Sequence, residues 1–143
     1  MTGRVLGLDP GQRRIGVAVS DPTRTIASPV RFIDASTEDV ARTVCDICEE
    51  YDISVIVVGL PINLDGSEGA SASAARSFAA EIAEAIAIGV EFQDERFTSR
   101  TAEAALIEGG VKRRSRKEKR DQVAAAVMLQ SYLDRRPTDA TEQ

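Results

Sequence analysis

Ser54-Val55-Ile56-Val57-Val58-Gly59-Leu60 is a nearly unbroken aliphatic run, and it restricts the fold more than any other stretch of the chain. A strand with one wet face alternates apolar and polar residues, whereas one that does not alternate is covered on both faces. That is the condition of a central parallel strand. An α/β architecture follows, and the rest of the chain has to supply the flanking strands and the helices that cover them.

The start of the chain supplies strands. Val5 to Leu8 and Ile15 to Ser20 are β-prone runs on either side of Asp9-Pro10-Gly11, which reads as a hairpin with Asp9 closing the first strand. Ser20-Asp21-Pro22-Thr23 marks a second turn, in which Asp before Pro is ordinary turn chemistry, and Thr25 to Ile33 resumes an extended character. Ser36-Thr37-Glu38-Asp39 carries a capping signal for a helix whose buried stripe is Val40, Val44, Ile47, Cys48 and Tyr51. Pro61 ends the aliphatic strand. The loop from Pro61 to Gly69 leads to a second helix with the stripe Ala75, Phe78, Ala79, Ile82 and Ile86, stopped by Gly89. Val90 to Asp94 is a fifth strand that runs into Asp94-Glu95-Arg96-Phe97-Thr98-Ser99, where Thr98 or Ser99 caps a helix reaching Gly109-Gly110. A last helix begins near Asp121 and puts Ala124, Ala125, Met128 and Tyr132 on the face that carries Asp121. The expected order is β-β-β-α-β-α-β-α-α: three antiparallel strands, then two parallel ones, in one domain over residues 1–136 with a disordered tail over 137–143.

Strands 1, 4 and 5 then present their carboxyl ends on one edge, where open α/β sheets bind ligands. That edge collects carboxylates: Asp9, the adjacent Asp94 and Glu95, and Asp121. The chain has no histidine, so Ser-His-Asp and Cys-His nucleophile systems, imidazole bases and His-ligated zinc are all excluded. Converging carboxylates without His or Cys suit hard divalent ions, Mg²⁺ or Mn²⁺. Two such ions could activate a water and stabilise the leaving oxygen of a phosphodiester. Because neighbouring residues of a strand face opposite ways, only one of Asp94 and Glu95 continues the Val90/Phe92 face: Asp94 if the strand persists, Glu95 released if a turn begins there.

Charge bears on the partner class. Lys112 to Arg120 holds seven basic residues and one acidic, a local +6 in a chain whose net charge is -5. Such asymmetry suggests a local surface for a polyanion on an acidic body; a solvated charged loop is the alternative, and the run alone does not decide between them. Cys45 and Cys48 form a CxxC, but they fall inside a predicted helix and no second pair completes a zinc site, so they read as small apolar residues near the core. No apolar run reaches bilayer-spanning length and the N-terminus has no secretory pattern, so a cytoplasmic protein without membrane contact is expected.

Gly7-Leu8-Asp9-Pro10-Gly11 with Ile15-Gly16-Val17-Ala18, Val58-Gly59-Leu60-Pro61 with Asp65-Gly66-Ser67, Asp94-Glu95-Arg96-Phe97-Thr98-Ser99, and Lys119-Arg120-Asp121 with Ala124-Ala125-Ala126 resemble, in order and spacing, the YqgF/RuvX family. The resemblance runs from Val5 to Leu133. It implies a ribonuclease H-like fold and a nuclease that trims the 5′ end of pre-16S rRNA on the small-subunit precursor, with branched DNA of the Holliday junction type as the alternative substrate. It also implies Asp9, Glu95 and Asp121 as catalytic and metal-binding residues with Asp94 as a further candidate, the family pattern favouring Glu95. Arg13, Arg14, Arg96, Lys112, Arg113, Arg114, Arg116, Lys117 and Lys119 are the candidate nucleic-acid contacts. Two other classes compete. A non-catalytic RNA-binding module is one, since fold does not imply activity. The other is an actin-like nucleotide-binding protein, which shares an Asp-x-Gly hairpin but needs two such domains where this chain supplies one.

Overall fold

A computed structural model of the chain describes residues 3–97 and 116–135, the side chains of residues 97 and 116–122 excepted. Strands β1 (Arg4–Pro10), β2 (Arg14–Ser20), β3 (Ala27–Asp34), β4 (Ile53–Leu60) and β5 (Gly89–Asp94) form one sheet in the order β3-β2-β1-β4-β5. β1–β2 and β2–β3 pair antiparallel; β1–β4 and β4–β5 pair parallel. The aliphatic run is therefore β4, hydrogen-bonded on both sides. Among the described residues the helices are α1 (Val40–Tyr51), α2 (Ala70–Ala85) and α3 (Arg116–Arg135).

Side-chain alternation divides the sheet between two cores. Leu6, Leu8, Ile56 and Val58 pack with Val44, Ile47 and Cys48 of α1 and Ala79 and Ile82 of α2. Val5 and Val57, one residue out of phase, pack with Ala125, Ala126, Met128, Leu129 and Tyr132 of α3. Each large side chain taken fully out of water contributes about 1.5–3 kcal/mol, and β4 is non-alternating because it serves both layers.

Helix α3 lies against β1 through a glycine. A Cβ on Gly7 would sit 2.9 Å from Leu129 Cβ, with backbone-near atoms on both sides and little room to yield. Gly7→Ala is expected to cost about 1–3 kcal/mol by overpacking and to lower the thermal midpoint by several degrees. An unchanged midpoint in a thermal melt would show that α3 is free to shift outward.

Three local expectations are revised. The α1 cap is Asp39, whose side chain accepts from Arg42 N at 3.2 Å, not Ser36. Ser36 is already bound to Asp34, with its Oγ 2.6 Å from Asp34 Oδ1, and Glu38 is forked to Arg31, so the residues before Asp39 form a separate turn. Gly89 does not stop α2, which ends at Ala85; it opens β5 and pairs with Val55. β3 starts at Ala27 rather than Thr25 because Asp21 gathers the Thr25 and Ile26 amides into its turn, at 2.8 and 2.9 Å. Cys48 is buried in the α1 core, and burial pushes its thiol up to about 11, which makes it an inert apolar residue rather than a redox thiol. No helix among the described residues is long and apolar enough to cross a membrane.

Candidate active site

Asp9 is the penultimate residue of β1, paired with Gly16 of β2. Leu8 faces α1 and α2, so Asp9 stands on the α3 face of the sheet. Val58 also faces α1 and α2, which puts Gly59, next to Asp9 in the parallel register, on the α3 face as well. β5 ends at Asp94, and a single 3-10 turn, Glu95–Phe97, begins at once. The strand does not persist, and that turn swings Glu95 back over β4.

Gly59 is the floor on which the two acids meet. A Cβ built on it would overlap Glu95 Oε2 and lie 3.2 Å from both Asp9 Oδ1 and Glu95 Cδ. Those two atoms are therefore no farther apart than twice that distance. Glu95 Oε2 is buried and has no hydrogen-bond partner among the described residues. A carboxylate oxygen withdrawn from water and left unbonded is costly, and beside a second carboxylate it is the arrangement that a cation satisfies. Hard oxygen donors without His or Cys fit Mg²⁺ or Mn²⁺.

Asp94 is engaged elsewhere. Its Oδ1 accepts from Arg96 N at 2.9 Å and its Oδ2 from Arg96 Nη2 at 2.7 Å, with Arg96 Nε 3.2 Å from Oδ1 and 3.0 Å from Oδ2. The Arg96 fork first of all, and then its backbone N–H and positive charge, hold the Asp94 carboxyl below the usual range.

Asp121 lies in the first two turns of α3. Leu129 meets Gly7, and Gln130 bonds to Ala27 N and Thr25 O, both at 2.9 Å, at the end of the sheet where β1 begins. Residues earlier in α3 hence run toward the carboxyl end of β1. Eight residues of helix span about 12 Å, which brings the Asp121 backbone to the Asp9 edge; its side chain is outside the described residues. The face assigned to it is buried at Ala125, Met128 and Tyr132. Among the described residues no group of three or more metal-ligating side chains occurs; Asp9 and Glu95 are the described pair.

Arg13 and Arg14 sit at the β1–β2 turn on this same edge. Arg14 stacks over Phe32 at 4.8 Å, and both lie near Asp34, whose carboxyl is held low chiefly by Ser36 and in part by these two charges. Lys112, Arg113 and Arg114 are outside the described residues, as are the helix expected over Thr98–Gly110 and the tail over 137–143. Arg116, Lys117 and Lys119 are on the first turns of α3. The β4–α2 loop is closed on itself by Asn63 N to Ser67 O at 2.9 Å and Ser67 Oγ to Asp65 Oδ1 at 2.6 Å, with Gly66 at φ +91°.

Two features of the site escape sequence reading. One is Gly59 as a floor; the available signal was a glycine inside an otherwise aliphatic strand, a common mark of close approach. The other is Gln93, a buried polar residue paired with Gly59 on β5, whose amide donates to Asp94 O at 3.3 Å.

The RuvX family model, described as Holliday junction resolvase, matches residues 3–135. A relative from Roseiflexus sp. (strain RS-1), provisionally named a pre-16S rRNA nuclease, is 41% identical over 133 residues, covering 92% of this chain and 94% of that one. A relative from Sulfurihydrogenibium sp. (strain YO3AOP1) with the same provisional name is 45% identical over 134 residues, covering 92% and 90%. Among solved structures, T. thermophilus RuvC in complex with a Holliday junction substrate superposes with a TM-score of 0.58 at 13% identity, over 92% of this chain and 95% of that one. A second Thermus thermophilus RuvC structure gives 0.52 at 17% identity. At those identities the likeness concerns the fold, which is ribonuclease H-like.

Proposed function

The chain belongs to the RuvX family, and from that premise we propose that it is a divalent-metal-dependent nuclease of the cytoplasm that processes the 5′ end of pre-16S rRNA on the small-subunit precursor. The observation that carries the metal dependence is the unbonded, buried Glu95 Oε2 facing Asp9 across Gly59. Asp9 and Glu95, joined by Asp121 from α3, would hold Mg²⁺ or Mn²⁺. When bound, those ions supply activation of the attacking water and stabilisation of the leaving oxygen.

The protein's own part is placement. β1 and the turn after β5 hold the two carboxylates on rigid elements at one sheet edge, so neither has to be ordered when substrate arrives. The basic run and the arginines of the β1–β2 turn would hold the phosphodiester backbone against that edge. Base readout is not required of them, since phosphate contacts position without specifying.

A second reading, cleavage of branched DNA, is favoured by the description of the family model. Purified protein given Mg²⁺, with an RNA carrying the 16S 5′ leader or a four-way DNA junction, separates the two. Cleavage of the RNA abolished by EDTA supports the proposal; cleavage of the junction alone transfers it to DNA; binding without cleavage of either reduces the protein to a binding module.

Replacing Arg113, Arg114, Arg116 and Lys117 with Gln is expected to weaken RNA binding at all sequences. It should also flatten the slope of log affinity against log salt by roughly 0.7 per lost phosphate contact. An unchanged slope would make the run a solvated segment.

A further inference from the structure

Arg96 is one of the cations expected to contact nucleic acid, and its surroundings argue for a different task. We propose that Arg96 is a positioning residue: together with Asp94 it closes the turn that aims Glu95 over Gly59, and it does not contact a phosphate. The inference rests on the reading of Asp9 and Glu95 as a metal site and assigns the group that holds one of them in place.

Glu95 is the middle residue of a three-residue ring. Asp94 and Arg96, its two neighbours, are tied by the backbone bond from Arg96 N to Asp94 Oδ1 and by the guanidinium fork on both carboxylate oxygens. A side chain that bonds the amide two residues on is a turn-forming device, and the fork fixes the carboxylate that makes it. Glu95 itself has nothing comparable, because its Oε2 bonds to nothing among the described residues. Its aim is set by its backbone, and the backbone is set by the ring. The pair is also more enclosed than two other ion pairs among the described residues: the Arg96 and Asp94 side chains are 27% and 18% exposed, against 49% and 35% for Arg76 and Glu68 and 43% and 28% for Arg31 and Glu38.

Among the described residues, the charge around Arg96 is unsuited to a polyanion. Its guanidinium faces Asp94 directly, with Nη2 2.7 Å from Oδ2, and lies beside the β4–α2 loop that carries Asp65. One cation between two carboxylates offers no net attraction to a phosphate. A Cβ on Gly66 would lie 3.7 Å from Arg96 Nη1, so the same guanidinium lies between the loop that follows β4 and the turn that follows β5.

Full-length wild type, Arg96→Gln, Arg96→Lys and Asp94→Asn are compared in two assays: Mn²⁺ binding by electron paramagnetic resonance without nucleic acid, and RNA affinity in EDTA against salt. Arg96→Gln is expected to weaken Mn²⁺ binding by about 10–100-fold, the usual effect of removing a group that orients a ligand, with RNA affinity and salt slope unchanged. Arg96→Lys keeps the charge but cannot fork, and should resemble Arg96→Gln. Asp94→Asn, nearly isosteric, should show the same pattern, and it carries the test if Arg96→Gln fails to fold by circular dichroism. Unchanged Mn²⁺ binding in the folded variants overturns the inference. Loss of RNA affinity with a salt slope lowered by about one, rescued by Lys, would make Arg96 a phosphate contact instead. A wild type that binds no Mn²⁺ at all overturns the metal site, and the inference with it, whereas a wild type that binds Mn²⁺ but cleaves nothing overturns only the nuclease reading.

Discussion

Asp9→Asn is expected to abolish cleavage, by on the order of 10³-fold or more, while leaving the thermal midpoint in EDTA at or above that of the wild type. The size of the loss follows from the role. A metal site contributes several kcal/mol to the transition state, at 1.36 kcal/mol per decade, and the amide keeps the shape of Asp9 while removing the charge a cation needs. The direction of the stability change follows from geometry. Asp9 Oδ1 and Glu95 Cδ both lie 3.2 Å from the point above Gly59 where a Cβ would stand, and like charges that close oppose each other when no cation lies between them. Removing one relieves that repulsion. Rate on the preferred substrate and a thermal melt in EDTA check both halves. Wild-type cleavage by Asp9→Asn would mean the site is misassigned, and a steep fall in melting temperature would mean that Asp9 is a structural residue.

Gly59→Ala is expected to damage the site as well, though less than Asp9→Asn, from a residue with no functional group. Its methyl would occupy the space now taken by Glu95 Oε2. What has to yield is the far end of a flexible side chain, not backbone, so the fold should survive with little change in melting temperature. Glu95 would then be displaced from Asp9, and Mn²⁺ affinity and cleavage should both fall by roughly 10–100-fold, the scale seen when a ligand loses its orientation. The double variant Gly59→Ala/Glu95→Gln should be scarcely worse than Glu95→Gln alone, because both changes remove the same carboxylate and groups that act as a unit are not additive. Full additivity, or a Gly59→Ala protein with wild-type Mn²⁺ binding, would place Glu95 outside the site.

These variants probe contacts between elements, and it is there that sequence reading stops. The hairpin, the unbroken β4 run, the helical stripes and the acids at strand ends are local patterns of period 2 or 3.6, legible because each concerns neighbours in the chain. Boundaries were less legible where side chains compete for the backbone. Asp21 and Asp34 draw nearby amides into turns, and this delays β3 and moves the α1 cap to Asp39.

By itself the sequence determined an α/β fold, the succession of strands, the absence of imidazole chemistry, and a sheet edge holding Asp9 and Asp94 or Glu95. The sequence also ended β5 at Asp94; only the tertiary structure decided that a turn begins at once, so that Glu95 lies over Gly59 while Asp94 pairs with Arg96. The physical reason is that strand alternation predicts direction only while the strand lasts. Asp9, Gly59 and Glu95 are far apart in sequence, and their meeting is a product of parallel register between β1, β4 and β5, a long-range pairing that no local period encodes. Arg96, read by its charge as a cation for phosphate, was given its neighbours by that same turn.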